Sequence, residues 1–161
     1  LNIARIENKE LFEYYMDGIT PCVSNVLERI DAERVAVAKA FGVKTMTCIE
    51  WLEDVYGSPH TDSDSIYEAV QKQDGYRGIE APQNPFARYI SEDVPMSLVP
   101  LAEFGRITGV PTPTMNLMID LANLIHQKDY RAEGRTLARL GLEGVFLDDL
   151  KKFVATGTPL P

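Results

Sequence analysis

The stretch TPCVSNVLERIDAERVAVAKAFG, residues 20–42, decides the class of fold. Thr20 is a helix-capping residue type, and Pro21 at the first helical position gives up an N–H that would have no partner there. Val23, Val26, Leu27, Ile30, Val35, Val37, Ala38 and Phe41 then recur at mostly helical spacing, with Glu28, Asp31, Glu33, Arg34 and Lys39 on the opposite face. Gly42 is the natural stop. At 1.5 Å per residue the rod from Pro21 to Phe41 is about 30 Å long, enough to be the spine of a helical domain.

The same grammar repeats downstream. Thr47-Cys48-Ile49-Glu50 reads as a capping box opening a second helix through Trp51, Leu52 and Val55 to Gly57. Residues 58–65 form a polar loop, and Ile66 to Gln73 a short helix with Tyr67 and Val70 inward. From Gly75 to Ser91 the pattern is an ordered loop, too apolar to be a disordered linker. Asp93 with Pro95 two residues on looks like a helix start, and Pro100 bends that helix or marks a late true start before Thr108-Gly109. Thr112-Pro113 opens the most apolar helix, Met115 to Ile125, whose composition predicts a central place. A short helix or turn covers Thr136 to Leu140, and a last helix runs from Val145 to Val154. Upstream, Leu1 to Tyr15 has a mixed period and reads as strand or loop feeding a short helix, broken at Gly18. The sum is all-α.

Composition excludes several functions. With 161 residues the chain fits one domain, and 45% hydrophobic residues suffice for a core. The net charge of −8 and pI near 4.8 disfavour nucleic acid and anionic membrane surfaces as partners. No apolar run reaches the roughly 18 residues of a membrane span. Cys22 and Cys48 are expected to be small buried hydrophobes in a reducing, cytoplasmic setting. They are no disulfide scaffold and cannot complete a zinc site. Leu1 rather than Met at the start suggests a piece of something longer.

Few residues offer chemistry. No glycine-rich phosphate loop and no nucleophile elbow occur. His60 lies in the polar loop and reads as solvated. His126 lies near a helix end, where the dipole favours a cation. The segment worth weighing is Asn84 to Pro95. Arg88 is a rigid two-pronged donor suited to a carboxylate substrate. Asp93 suits the orientation and charge stabilisation of a catalytic imidazole. The structural alternatives are that Asp93 only caps a helix and Arg88 only ties a loop. Met115 and Met118 read as core.

Arg88-Tyr89-Ile90-Ser91-Glu92-Asp93-Val94-Pro95, Leu98-Val99-Pro100 and Gly109-Val110-Pro111-Thr112-Pro113 together resemble the C-terminal helical domain of the opine dehydrogenases, the octopine and nopaline dehydrogenase type. Gly18-Ile19-Thr20-Pro21, the run Asp31 to Ala40, Glu50-Trp51-Leu52, Tyr56-Gly57, Gly134-Arg135-Thr136-Leu137 and Leu140-Gly141-Leu142 fit the same pattern, so the resemblance covers nearly the whole chain. It implies a compact multi-helix domain like the C-terminal domain of 6-phosphogluconate-dehydrogenase-like enzymes. It also implies a preceding Rossmann domain, absent from this chain, that binds NAD or NADP, and a reaction that condenses an amino acid with a 2-oxo acid and reduces the imine. The resemblance makes Asp93 the catalytic partner of a histidine and Arg88 the substrate-carboxylate residue. That histidine falls a few residues before the stretch matching Asn2 to Glu7, outside this sequence, and neither His60 nor His126 takes its place. The expectation is a single helical substrate domain, residues 1–161, inactive alone and part of an enzyme when full-length, with a homodimer open. Two alternatives stand beside it: a stand-alone helical carboxylate-binding or dimerisation domain, and a dehydrogenase that reduces a 2-oxo acid without condensation.

Overall fold

The computed structural model describes residues 1–57 and 62–160. Among the described residues the chain is all-α: α1 (Ile3–Glu7), α2 (Pro21–Ala40), α3 (Cys48–Tyr56), α4 (Ile66–Gln71), α5 (Arg88–Ser91), α6 (Val99–Thr108), α7 (Pro113–His126), α8 (Tyr130–Glu133) and α9 (Leu147–Thr156). A 3₁₀ turn spans Asp74–Tyr76 and a π-helical turn spans Val94–Leu98. The only extended pairing among these residues is one isolated antiparallel bridge, Glu13 to Glu80. Backbone contacts group the chain into two compact units.

The first unit takes the described residues of Leu1–Val35 and Thr45–Ala87. Its core is Leu52, Ile66, Ala69 and Val70, with Leu27, Ile19, Tyr15 and Tyr76 packed against it. A smaller cluster joins Ile6, Phe12 and Ala81. The polar face of α2 works here as a set of tertiary caps. The hydroxyl of buried Ser24 donates to Glu28 Oε1 at 2.8 Å. The first N–H groups of α4 then land on these side chains, Ile66 N on Glu28 Oε1 at 3.0 Å and Tyr67 N on Ser24 Oγ at 2.8 Å. One turn further along, Asp31 accepts from Cys48 N at 2.8 Å and from Arg34, whose guanidinium also donates to Thr45 Oγ1 and the Met46 carbonyl. The orphan donors of two helix starts are thus satisfied by α2. The Thr47–Glu50 capping box forms with both of its hydrogen bonds. Outside the aliphatic core runs a series of rings. Tyr14 meets Tyr15 edge to face at 5.1 Å, and Tyr15 stacks on Tyr76 at 4.2 Å. Tyr76 meets Tyr56 at 6.0 Å, and Tyr56 meets Trp51 at 5.9 Å.

The second unit takes the described residues of Ala36–Lys44 and Arg88–Pro161. Val94, Val99, Ala102, Ile119, Ala122 and Tyr130 form its core. Gly105 permits the close approach of α6 to the turn that follows it. A Cβ there would stand 2.7 Å from Thr112 Cγ2 and 2.9 Å from the Val110 carbonyl. Gly109, in the left-handed conformation at φ 71°, ends α6 as the sequence predicts.

Several expectations are corrected. Leu1 to Tyr15 opens with its short helix, Ile3–Glu7, and continues as turn and loop, the reverse of a strand or loop feeding a helix. Cys22 is exposed and Cys48 half-buried, because Cys22 sits in the first turn of α2 on its outer side. Thr112 precedes α7 without capping it, and its hydroxyl instead accepts from Asn116 Nδ2 at 3.2 Å. α7 is central on one face only. Met115 and Ile119 are fully buried, but Leu117 and Leu124 are exposed. The four-residue helix α8 carried no apolar period long enough to be read.

Candidate functional site

The site segment forms one helical stretch from Arg88 to Thr108, interrupted by the π turn. Two prolines explain the interruption. Pro95 and Pro100 have no N–H, so each removes a donor from the helical ladder. At the turn the ladder shifts from four-residue to five-residue spacing, with Val99 N–H donating to the Val94 carbonyl. The Pro95 carbonyl is satisfied from elsewhere in the chain. Arg135 N–H donates to it at 2.9 Å. Gly134 makes that approach possible, since a Cβ there would lie 2.7 Å from the Pro95 carbonyl and 2.9 Å from Val99 Cγ1. The extra residue in the turn keeps Val94 and Val99 on the same buried side at a spacing of five.

Asp93 is therefore not a helix cap. It lies inside the helical stretch at φ −67°, ψ −34° and makes no capping hydrogen bond, because the helix has already begun at Arg88. The side chain is exposed, directly before the buried pair Val94 and Pro95. Partial burial raises its carboxyl above the ordinary aspartate range. Glu92 adds to the rise and the Arg88 guanidinium opposes it. Arg88 is more open, its side chain 74% exposed, and donates from Nη2 to Glu92 Oε1 at 3.1 Å. An exposed ion pair of this kind is weak. The guanidinium can exchange it for another carboxylate at little cost. The structure thus brings Arg88, Glu92 and Asp93 together on one exposed stretch whose next residues are anchored in the core.

The expectation for His60 falls outside the described residues. His126 ends α7 but is buried, only 6% exposed, with Nδ1 2.6 Å from the Tyr130 hydroxyl. It serves the interior of the second unit rather than the helix dipole at the surface. Burial and then Glu133 raise the Tyr130 hydroxyl above its ordinary value.

A shallow hollow of about 290 Å³ opens between α6 and α7, lined by Arg106, Thr112, Asn116 and Arg131 among others. Its arginines are already paired, with Glu103 at 3.2 Å and Asp120 at 3.0 Å, and neither Arg88 nor Asp93 reaches it. No cluster of side chains that could hold a metal ion occurs among the described residues. No helix among them is long and apolar enough to cross a membrane. The sequence reading missed the Pro95–Arg135 contact. The five-residue spacing of Pro95 and Pro100 could have signalled the interrupted helix, since it withdraws two donors, but not the partner that answers the freed carbonyl.

Known proteins resemble this chain along most of its length. The family model for the alpha-helical domain of NAD/NADP octopine/nopaline dehydrogenase matches residues 1–126. An opine dehydrogenase of Arthrobacter sp. (strain 1C) is 49% identical over 146 residues, covering 90% of this chain and 40% of that protein. The protein ocs of Agrobacterium tumefaciens (strain Ach5) is 31% identical over 82% of this chain and 36% of its own length. A solved octopine dehydrogenase, described as its complex with NADH and L-arginine, superposes with a TM-score of 0.72 at 22% identity, over 93% of this chain and 42% of that one. The chain thus spans about two fifths of the length of these relatives.

Proposed function

The chain belongs to the alpha-helical-domain family of the NAD/NADP octopine/nopaline dehydrogenases, and on that premise we propose that it is the substrate-binding part of a longer opine dehydrogenase-like oxidoreductase. The reaction in this reading is the reductive condensation of an amino acid with a 2-oxo acid, with NAD(H) or NADP(H) as redox partner. The described residues do not themselves fit such a dinucleotide. They contain no strand that leads through a glycine-rich turn into a helix, so no row of backbone N–H groups cradles a pyrophosphate. The cofactor would be held by another part of the longer protein, and this chain alone would not turn over.

The observation that carries the proposal is the exposed trio Arg88, Glu92 and Asp93 on a stretch fixed to the core by Val94 and Pro95. Arg88 would take a substrate carboxylate through two parallel N–H donors, releasing Glu92. Asp93 would stand behind a histidine supplied from before Leu1. Its negative charge would orient the imidazole and stabilise the imidazolium as the proton passes to or from the substrate nitrogen.

The test is made on the full-length protein. NAD(P)H oxidation is followed with an amino acid and a 2-oxo acid together, and with each alone. The expected result is turnover only with both. Turnover with the 2-oxo acid alone would convert the reading to simple reduction, and no turnover with any pair would leave a non-catalytic binding domain. Arg88→Met should raise the KM for one carboxylate substrate by about 10- to 100-fold, the scale of a lost charge-assisted hydrogen bond. The thermal midpoint should stay unchanged, since the Arg88–Glu92 pair is exposed.

A further inference from the structure

The π turn at Val94–Leu98 sits between the proposed charge partner, Asp93, and the rigid body of α6. A π turn adds one residue to the helix. It rotates everything before it by about 100° relative to an uninterrupted α-helix, the angle of one residue at 3.6 per turn. Without it, Val94 would align with Leu98, and the Arg88–Asp93 segment would present a different side. The turn is maintained by features from two places in the sequence. The Pro100 ring opposes four-residue spacing, where it would meet the Met96 carbonyl without an N–H to offer it. The Pro95 carbonyl is taken by Arg135 N–H at 2.9 Å. Gly134 has an ordinary extended backbone, φ −79° and ψ 178°, so space rather than conformation requires a glycine there.

We propose that Pro100 and the Gly134-Arg135 segment are positioning residues for the reaction: together they hold the π turn that aims Asp93. The inference rests on the role of Asp93 proposed above. It adds that a peptide some forty residues downstream of Asp93 determines where that carboxylate points. Pro100→Ala removes the ring that clashes, in four-residue spacing, with the Met96 carbonyl and restores an N–H that can bond it. Val99 N–H can then move from the Val94 carbonyl to the Pro95 carbonyl, releasing Arg135 N–H.

The experiment compares full-length wild type with Pro100→Ala, Asp93→Asn and the double variant. Pro100→Ala removes a proline from a helix, so its thermal midpoint should equal or exceed that of wild type. Its kcat should nevertheless fall by about 10- to 100-fold, the scale of a misplaced reacting group. Its histidine-dependent pH limb should move to lower pH, because an imidazole that loses a nearby carboxylate loses support for its cation. The kcat of the double variant should be no lower than that of Asp93→Asn alone, since both changes act through one group. Hydrogen exchange at the Arg135 amide supplies a readout free of activity: slow in wild type, faster in Pro100→Ala. Unchanged kcat, pH limb and exchange in Pro100→Ala would overturn the inference, as would losses that multiply in the double variant. Should Pro100→Ala not fold, Gly134→Ala takes its place with the same expected kcat, pH and exchange outcomes. A wild type without opine-forming activity, or an Asp93→Asn variant with full activity, would instead defeat the earlier reading of the site.

Discussion

Asp93 becomes a stronger base on folding, chiefly through burial, with Glu92 reinforcing and Arg88 opposing. A carboxyl raised in the folded state favours that state in its protonated form. Its ionisation therefore subtracts stability, an effect absent below the ordinary aspartate value and fully present above the raised one. Asp93→Asn should match the wild-type midpoint near about pH 3 and exceed it near about pH 7, as read by calorimetry across the series. A midpoint below wild type at neutral pH would mean that Asp93 supports the fold rather than a site. Residue type and spacing left Arg88 and Asp93 open between a site and ordinary structural roles, and only the family resemblance assigned them roles. The position of Asp93 within the helix was not. An aspartate two residues before a proline is also what a helix start looks like. The true start at Arg88 has a four-residue segment too short to show a period.

Helix α2 shows the same limit at the scale of an element. Its boundaries were legible because a cap with proline and a terminal glycine are local signals. The work done by its polar face was not. Periodicity places Glu28 and Asp31 away from the apolar stripe but cannot tell that the beginnings of α4 and α3 arrive there. A carboxylate that receives a helix N-terminus is held by hydrogen bonds and by the dipole together. Glu28→Ala takes from Ile66 N–H and the Ser24 hydroxyl the carboxylate oxygen to which both donate. It should cost about 1–2 kcal/mol in urea or guanidinium unfolding. No measurable loss would mean that water replaces the carboxylate.

For the whole molecule, fold class was the safest reading because it sums many local signals, and one misread boundary does not change the sum. Long-range pairings were out of reach, as were the grouping into two compact units and the open side of α7. Apolar composition predicted a central α7, yet Leu124 is 78% exposed while Ile119 is fully buried. Ile119→Ala should therefore cost about 2–5 kcal/mol, through lost transfer energy and the cavity left behind. Leu124→Ala should stay within about 0.5 kcal/mol. Equal effects in denaturant unfolding would show that the Leu124 side of α7 is covered in the protein as it exists.

The line of rings from Tyr14 to Trp51 makes the first unit optically self-reporting. Trp51 is the only tryptophan, and it is about half open to water at 45% exposure. Tyr56 lies edge-on beside it, backed by the stacked Tyr76 and Tyr15. Light absorbed by these phenols passes to the indole by resonance energy transfer while the rings stay together. Loosening of this unit restores tyrosine emission as the indole signal shifts to the red. The indole colour then follows it without any label, separately from the second unit, which carries Tyr89 and Tyr130 but no tryptophan.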